Sequence, residues 1–485
     1  MYSQLNSNEL KKAGDYVLSQ IAIISKESFD GSSTPKKIDI TSLVVEINIY
    51  EDIDEKNLTG QIVISDSTGL PNNMPLTGNE LIQFKVGTPG SERYFDFEKN
   101  PMVIYKIGQR RVHNPRSQIY ILYFCSMEQI TNQTVKVQRS FTGSVDNMLG
   151  KVLQGELGTG KDIFIEKTRG NRKFVIPRWR PFKTISFLCN NAQSIQFQST
   201  GYKFYETAQG FHCRSYESMM AVGVDAARPV NGKFMQKMAG TDSLDTLSQM
   251  QTISEYEILE NFNTMKLLAT GALASRVLKT DLFNKTFKNT DFDYVKNYEK
   301  AHHTEHDGNA AREHMKKIIP EYPFRDGKML SEFPDGTFYH ASDTSNTYED
   351  SNGNVFETVD DSDKLSKRIS QDICLDSFKI RIYVPGYTGL SVGELITIDL
   401  PRYEKTSEGD KDRDTQLSGR YLVSKIAHTI KPGSSYHSMS IEALKDSVMV
   451  PYYNSAIETE PKLVDKKGEI YYQESIDDGI FHTIS

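Results

Sequence analysis

Two clusters in the chain have residue types at spacings that could do chemistry. Gly155-Glu-Leu-Gly-Thr-Gly-Lys161 matches most of the phosphate-binding pattern G-x-x-x-x-G-K, in which backbone N–H groups cradle phosphate and the lysine reaches its oxygens. The next residue is Asp162, where the pattern needs a hydroxyl for magnesium, and a carboxylate there repels phosphate. A helix is predicted before this loop and the strand-like Ile163-Phe-Ile-Glu166 after it, so no helix N-terminus faces a ligand. The segment reads as a helix-to-strand turn. The second cluster is His302, His303, Glu305 and His306, with His302 and His306 one helical turn apart. Zinc peptidases place the glutamate directly after the first histidine, and His303 occupies that position here. Its surroundings, Lys300 to Arg312, are strongly polar, which predicts a solvated helix face and no metal site.

Other chemistry has less support. There is no G-x-S-x-G, and no Ser/His/Asp or Cys/His arrangement with recognisable local spacing. Paired acids such as Asp360 and Asp361 fall in runs that read as solvated. Cys125, Cys189, Cys213 and Cys374 form no CxxC pair and read as reduced, buried thiols. Trp179, in Ile176-Pro-Arg-Trp-Arg-Pro181, reads as a core anchor at a helix start. No catalytic residue, cofactor or metal is expected, and the chain is read as no enzyme.

The elements that would position these residues belong to a large globular chain. Its 485 residues suffice for several domains, each with its own core. The composition is 38% hydrophobic, 25% charged and 10% aromatic, the last pointing toward β-structure. The N-terminus lacks the basic and apolar regions of a signal peptide. No run reaches the roughly 18 apolar residues a membrane helix needs. A formal charge of −7 argues against a sequence-specific nucleic-acid binder, whose surface needs clustered Lys and Arg.

Residues 1–37 read as a polar N-terminal extension, apart from Tyr16 to Ile24, which suits an edge strand or short helix. From 38 to 130 the period is two: Leu43, Val45, Ile47 and Ile49 alternate with Val44, Glu46 and Asn48. Short strands so closely connected close most easily into a small barrel or sandwich. Residues 131–246 read as mixed α/β. They hold a helix capped by Ser144, a second helix from Pro181, and a hairpin of Gly201–Glu206 with Gly210–Tyr216. A second β-module spans 247–290 and 376–446, split by an insertion at 291–375. A polar helix is expected there around His302 to Ile318, and a helix through Leu365, Ile369 and Ile373 leads back to the strand Phe378–Val384. Between Asp343 and Asp363 the insertion has seven acids and no base, the composition of a solvated excursion. Residues 447–485 form a C-terminal tail. Its Tyr452, Tyr453, Tyr471, Tyr472, Ile480 and Phe481 suit a segment that docks on a neighbour.

The two β-modules echo one another. Leu43 to Asp54 and Leu58-Thr-Gly-Gln-Ile-Val-Ile-Ser65 are answered by Ile253 to Glu260 and Leu267-Leu-Ala-Thr-Gly-Ala-Leu-Ala-Ser275. Gly78 to Phe84 answers Gly393 to Ile398, and Lys106-Ile107 with His113 to Ser117 answers Lys425-Ile426 with His428 to Ser434. His113 and His428 would share a structural role beside a turn. A module duplicated within one chain builds symmetry rather than an active cleft.

This order of blocks resembles the central baseplate hub proteins of contractile-tailed bacteriophages, which are related to the hub part of secretion-system spike proteins. The residues that carry the resemblance in the first module are Leu58-Thr-Gly60, Ser65-Asp66 and Gly78 to Ile82. Ile176 to Trp179 carries it in the middle, and Gly271 to Ser275, Asp281-Leu282, Gly393-Glu-Leu395 and Tyr421 to Ile426 in the second module. The chain departs from the family in its long insertion and its N-terminal extension. The resemblance implies a β-rich α+β fold with two tail-tube-like antiparallel β-barrel domains, an intervening α/β domain and an insertion in the second barrel. It further implies a homotrimer forming a pseudo-sixfold ring in the virion tail baseplate, made in the host bacterial cytoplasm. Implied partners are the central spike, a tube initiator or tube protein, the tape-measure protein and the baseplate wedge, with DNA only in transit; the net charge of −7 predicts an acidic or neutral lumen, since basic side chains there would hold the genome. The rival readings are a wall hydrolase or peptidase using the His302 cluster, and a trimeric receptor-binding protein.

Overall fold

The computed structural model describes residues 10–25, 36–73, 76–114, 117–221, 230–236, 245–281, 285–298, 300–305, 316–317, 323–343, 348–349, 355–356, 362–402, 414, 416–448, 463–464, 470–472 and 482–483. Strands predominate and helices are short, so the expected β-rich α+β class holds. None of the described helices is long and apolar enough to cross a membrane.

Among the described residues fourteen strands share one sheet. Its first half comprises β1 (Ala22–Ser25), β2 (Lys36–Asp39), β3 (Val44–Asp52), β4 (Thr59–Asp66), β5 (Leu81–Gln83), β6 (Met102–Asn114) and β7 (Ser117–Cys125), hydrogen-bonded in the order β3-β4-β7-β6-β5-β1-β2. The second half comprises β8 (Lys233–Gln236), the short strand Thr252–Ile253, β9 (Glu255–Glu260), β10 (Phe378–Pro385), β11 (Leu395–Asp399), β12 (Gly419–Lys431) and β13 (Tyr436–Lys445). These run β9-β10-β13-β12-β11-β8, with Thr252–Ile253 outermost. Strand for strand, the two halves have the same chain order and the same sheet order. They differ at one end: β1 is antiparallel to β5, whereas β8 runs parallel to β11. Among the described residues no ladder closes either half into a barrel, so the sheet is open where closed barrels were expected.

Period-two patterning explains why these segments are strands. Ile62 and Ile64 of β4 and Tyr120, Leu122 and Phe124 of β7 point into the first core, while Gln61, Val63, Ile121 and Tyr123 stay partly exposed. In β13, His437, Met439, Ile441 and Ala443 are buried in the same alternation. Each fully buried large apolar side chain contributes about 1.5–3 kcal/mol, and each half has its own cluster of them. The N-terminal run was expected as an edge strand or helix; Val17–Leu18 is an edge strand, of a separate three-stranded sheet with Lys85–Gly87 and Tyr94–Asp96, whereas β1 is an interior strand between β5 and β2. Ile21 and Ile23 are fully buried in the first core, so a short apolar run inside a polar segment is enough to recruit it.

The α/β region has its own core. The helix expected after Ser144 runs Val145–Lys151 and continues as a π-turn through Glu156. The second helix is Pro181–Asn190 with proline in its first turn, and the hairpin is Tyr202–Thr207 with Gly210–Ser215.

The boundary of the insertion differs from the expectation. The main sheet is left after Glu260 and resumed at Phe378. Between them a helix, Thr264–Ala269, precedes a separate sheet of Ala274–Asp281, Thr286–Asp293 and Phe338–Asp343. Leu267–Ser275 is therefore not the counterpart of Leu58–Ser65; β10 is. Both segments place a glycine among apolar residues. Gly60 sits within a strand, however, while Gly271 has a φ of +68° and follows a helix. The helix expected at His302 to Ile318 is absent where described, since residues 302–305 are irregular or turn and 316–317 are strand. The helix Ser362–Leu375 does lead back into β10. Most of the acidic stretch 343–363 lies outside the described residues.

Gly60 gives a direct test of the first core. A Cβ there would lie 2.2 Å from the Phe124 ring and 2.6 Å from the Asn48 carbonyl oxygen. Gly60→Ala should destabilise the chain by about 1–3 kcal/mol through overpacking, measured by chemical denaturation. An unchanged midpoint would show that this ladder is loosely packed.

Candidate functional site

Among the described residues, the lysine and histidine singled out for chemistry at 161 and 303 are held in structural contacts. The Lys161 ammonium lies 2.6 Å from Glu206 and 2.7 Å from Glu128. Burial alone would lower its pKa, but the two carboxylates raise it. Glu206 also accepts the Leu58 N–H at 2.8 Å and the Ser126 hydroxyl at 2.6 Å. The glycine-rich segment thus clamps the α/β region onto the first half of the sheet, and its lysine is neutralised by carboxylates rather than presented to phosphate.

The histidine cluster is dispersed. His303 is buried, stacks on Tyr298 with centroids 3.8 Å apart, and pairs with Asp446 at 2.7 Å. Burial opposes charging of this imidazole, yet Asp446 raises its pKa. The same carboxylate accepts the Thr304 N–H at 3.0 Å. Glu305 accepts the N–H of Arg420 at the start of β12, and His302 lies 3.5 Å from Glu217. His306 lies outside the described residues. No group of three or more metal-ligating side chains occurs among the described residues.

The four cysteines are free and buried. Trp179 is partly buried at the rim of the α/β core, edge-on to Phe187 and under the Lys183 ammonium. Of the tail residues, Tyr452, Tyr453, Ile480 and Phe481 lie outside the described residues. Tyr471 and Tyr472 fall in the short strand Ile470–Tyr472, whose side chains are not described.

The most elaborate local arrangement is the junction between the two halves. On one edge β12 pairs with β11 over Gly419–Leu422; when β11 ends, β3 takes its place, with Lys425 opposite Asp52 through Ile430 opposite Ile47. Ile430 enters the core of the first half. His428 is fully buried, edge-on to Phe95 and 3.1 Å from His437. Burial pushes both imidazoles down, His437 to about 3, so one neutral ring donates to the other. By register His113 is not the counterpart of His428. It stands one residue before the last pair of β6 with β7, Asn114 opposite Ser117; His428 stands three before the pair Lys431 opposite Tyr436.

Residues to which the sequence assigned no chemistry complete the junction. Thr88 and Thr388 each donate their backbone N–H to the other's hydroxyl at 3.0 Å. Arg93 is buried against Glu394 at 2.7 Å, and Glu394 also accepts from the Asn231 side chain. Glu51 projects from β3 and accepts two backbone N–H groups, Ala208 of the α/β hairpin at 3.0 Å and Val392 of the second half at 3.1 Å. One carboxylate thus ties three parts of the chain together. Burial raises its pKa to about 7 despite those donors. A signal for it was present: Glu51 falls in phase with Ile47, Ile49 and Ile53, an acid at a core-facing position of the alternation.

No family model matches this chain, and no curated protein matches it. Among solved structures it is similar to the tail protein from Neisseria meningitidis MC58, at 10% identity and a TM-score of 0.47, covering 89% of this chain and 97% of that one. It is similar also to the 43 kDa tail protein of prophage MuSo2 from Shewanella oneidensis, at 7% identity and a TM-score of 0.48, covering 88% and 98%. A protein of the phage P2 virion baseplate in its activated conformation matches at 9% identity and a TM-score of 0.28, with coverages of 88% and 98%. The structures this chain resembles are thus tail and baseplate proteins.

Glu51 makes the junction pH-dependent in a definite direction. A carboxyl whose pKa rises on folding favours the folded state below its unfolded value near 4.5, and that contribution is lost as pH rises through about 7. Glu51→Gln cannot ionise. Its stability relative to the natural chain should therefore increase between pH 5 and 8, by up to roughly 3 kcal/mol, in thermal melts. A constant difference would show that Glu51 does not titrate there.

Proposed function

We propose that this chain is a structural virion protein, the central hub of a contractile-tail baseplate. As a homotrimer its six half-sheets would form a pseudo-sixfold ring that adapts the sixfold tube to the threefold spike and lines the channel for DNA. The observation that carries this reading is the repetition of one strand order within the chain, with the two copies joined edge to edge by β12 and β3. Closed homo-oligomers usually present one copy of each surface per subunit. Two equivalent modules per chain let three chains present six similar edges while other parts keep threefold symmetry. An enzyme is disfavoured, since the candidate reactive groups with described side chains are held in buried salt bridges and backbone contacts.

The face of the sheet turned away from the cores suits a passage that must not grip DNA. Across the junction Lys425 meets Asp52 at 2.8 Å and Lys431 meets Glu46 at 3.5 Å. Within the second half Arg381 lies 2.5 Å from Glu442 and 3.1 Å from Glu257. Cations so paired release few counterions on meeting phosphates, and weak phosphate binding lets a genome slide. The partners are the central spike, a tube initiator or tube protein, the tape-measure protein and the baseplate wedge. The aromatic tail at 447–485 is assigned to the spike.

Mass measurement of the purified chain tests the ring. The expected species is a trimer of the 55.0 kDa chain, about 165 kDa as three times that mass; a monomer at every concentration would overturn the reading. Removing residues 450–485 should weaken co-purification with the spike while leaving the trimer intact. Undiminished recovery of the spike would take the tail out of that contact.

A further inference from the structure

The junction inside the chain predicts the junction between chains. β12 has both edges covered: β13 on one side, β11 and then β3 on the other. Its counterpart β6 pairs with β7 along its length but with β5 only at Met102 and Val103. Among the described residues nothing pairs with the opposite edge of β6 from Tyr105 to Val112. The counterpart of β3 is β9, which has β10 on one side and no strand on the other among the described residues. Each copy therefore has one edge of the β12 type and one of the β3 type left over.

The side chains on those edges match. Ladder by ladder, Thr429 and Ile430 correspond to Arg111 and Val112, because their partners Ser438 and His437 correspond to Ile119 and Gln118. Ile47, Asn48 and Ile49 likewise correspond to Tyr256, Glu257 and Ile258, through Ile62, Gln61 and Gly60 against Ile382, Arg381 and Ile380. At the covered junction Ile430 and Ile49 are both 0% exposed; at the free edges Val112 is 74% and Ile258 40% exposed. Charge follows the same polarity. β12 brings Lys425 and Lys431 to Asp52 and Glu46 of β3. The β6 edge carries Lys106, Arg110 and Arg111, and β9 carries Glu255, Glu257 and Glu260.

We infer that β6 of one copy pairs antiparallel with β9 of a second copy of this chain, with Arg111 opposite Glu257 and Val112 opposite Tyr256, reproducing the β12–β3 ladder. This deepens the ring reading above and rests on it. Gln109, with a φ of +51° at a register shift in β6, adds one residue that β12 lacks, so the new ladder is interrupted between Gly108 and Arg111. Glu257 already meets Arg381, and its side chain, 57% exposed, has room for a second cation. A basic edge that seeks an acidic one is a heterologous contact, which runs head to tail and makes a ring where the rotation between copies closes.

Two sets of variants test the pairing on the full chain. Arg110→Glu with Arg111→Glu, and separately Glu255→Lys with Glu257→Lys, should each weaken the trimer at least tenfold in concentration-dependent mass measurements. The chain carrying all four changes should regain it. Arg111→Cys with Glu257→Cys should give disulfide-linked dimers and trimers on a non-reducing gel, against a silent background because the native cysteines are buried; either cysteine alone should not. Antiparallel neighbours lie within the roughly 4.4–6.8 Å Cα separation a disulfide needs. Charge-reversed chains that remain fully trimeric, with no cross-linking of the cysteine pair, would overturn this pairing while the ring stands. A natural chain that never trimerises would remove the ring and the pairing together.

Discussion

A strand edge is a row of backbone donors and acceptors that must be paired or solvated, and much of this structure follows from how one such edge is used. β12 outlives its partner β11, and β3 is laid along the remainder. That single ladder turns two half-sheets into one sheet, carries Ile430 into the neighbouring core, and brings Glu51 within reach of the α/β hairpin and the second half. The buried pairs around it, Arg93 with Glu394 and Thr88 with Thr388, are satisfied only while the halves stay in register. Removing one partner of such a buried pair leaves a charge or donor without compensation, which costs more than the pair contributes. Their effect is therefore to fix one relative placement of the halves.

The same economy explains why residues that look chemical are not arranged for chemistry. Lys161 stands where a phosphate-binding lysine would, but its loop packs against the first half and two glutamates reach it there. His303 would be free to bind a metal on a solvated helix. Instead its segment is irregular and folds against the end of β13, where Asp446 takes the ring and Thr304 together. In both places the reactive group ties an insertion or a loop to the sheet.

How far the sequence revealed this depended on whether the signal was local. The alternation around Ile47 and Ile49 and the hairpin strands holding Lys106-Ile107 and Lys425-Ile426 are local, and they align in the structure as Tyr123 and Glu442 opposite the two lysines. The α/β helices were visible through their apolar faces and the proline at 181. Leu267–Ser275 misled because a helix ended by Gly271 and the strand after it have the composition of one glycine-containing strand. The His302 segment misled because its partner, Asp446, is 143 residues from His303 in the chain. The interior position of the N-terminal strand was obscured by its polar flanks, although Ile21 and Ile23 are as buried as any residue of the first core. Glu51 alone among the junction residues was announced locally, by an acid in phase with isoleucines.

The repetition also constrains how the chain can associate. Had the two halves been unrelated, the ladder joining them would say nothing about any other surface. Because they share seven strands in one order, the joint inside the chain is also a pattern for a joint outside it, and one internal joint between two modules leaves one edge of each kind unused. Those edges differ in charge and in the residues they expose, so neither is built to meet its own copy across a twofold axis. Head-to-tail contact either closes into a ring or continues as a filament, and which of these follows is set by the angle that each β12–β3-type joint imposes. The buried network at Glu51, Arg93 and Glu394 holds that angle at the internal joint. In a ring of alternating internal and external joints, the rigidity of the first limits the error that must be absorbed by the second.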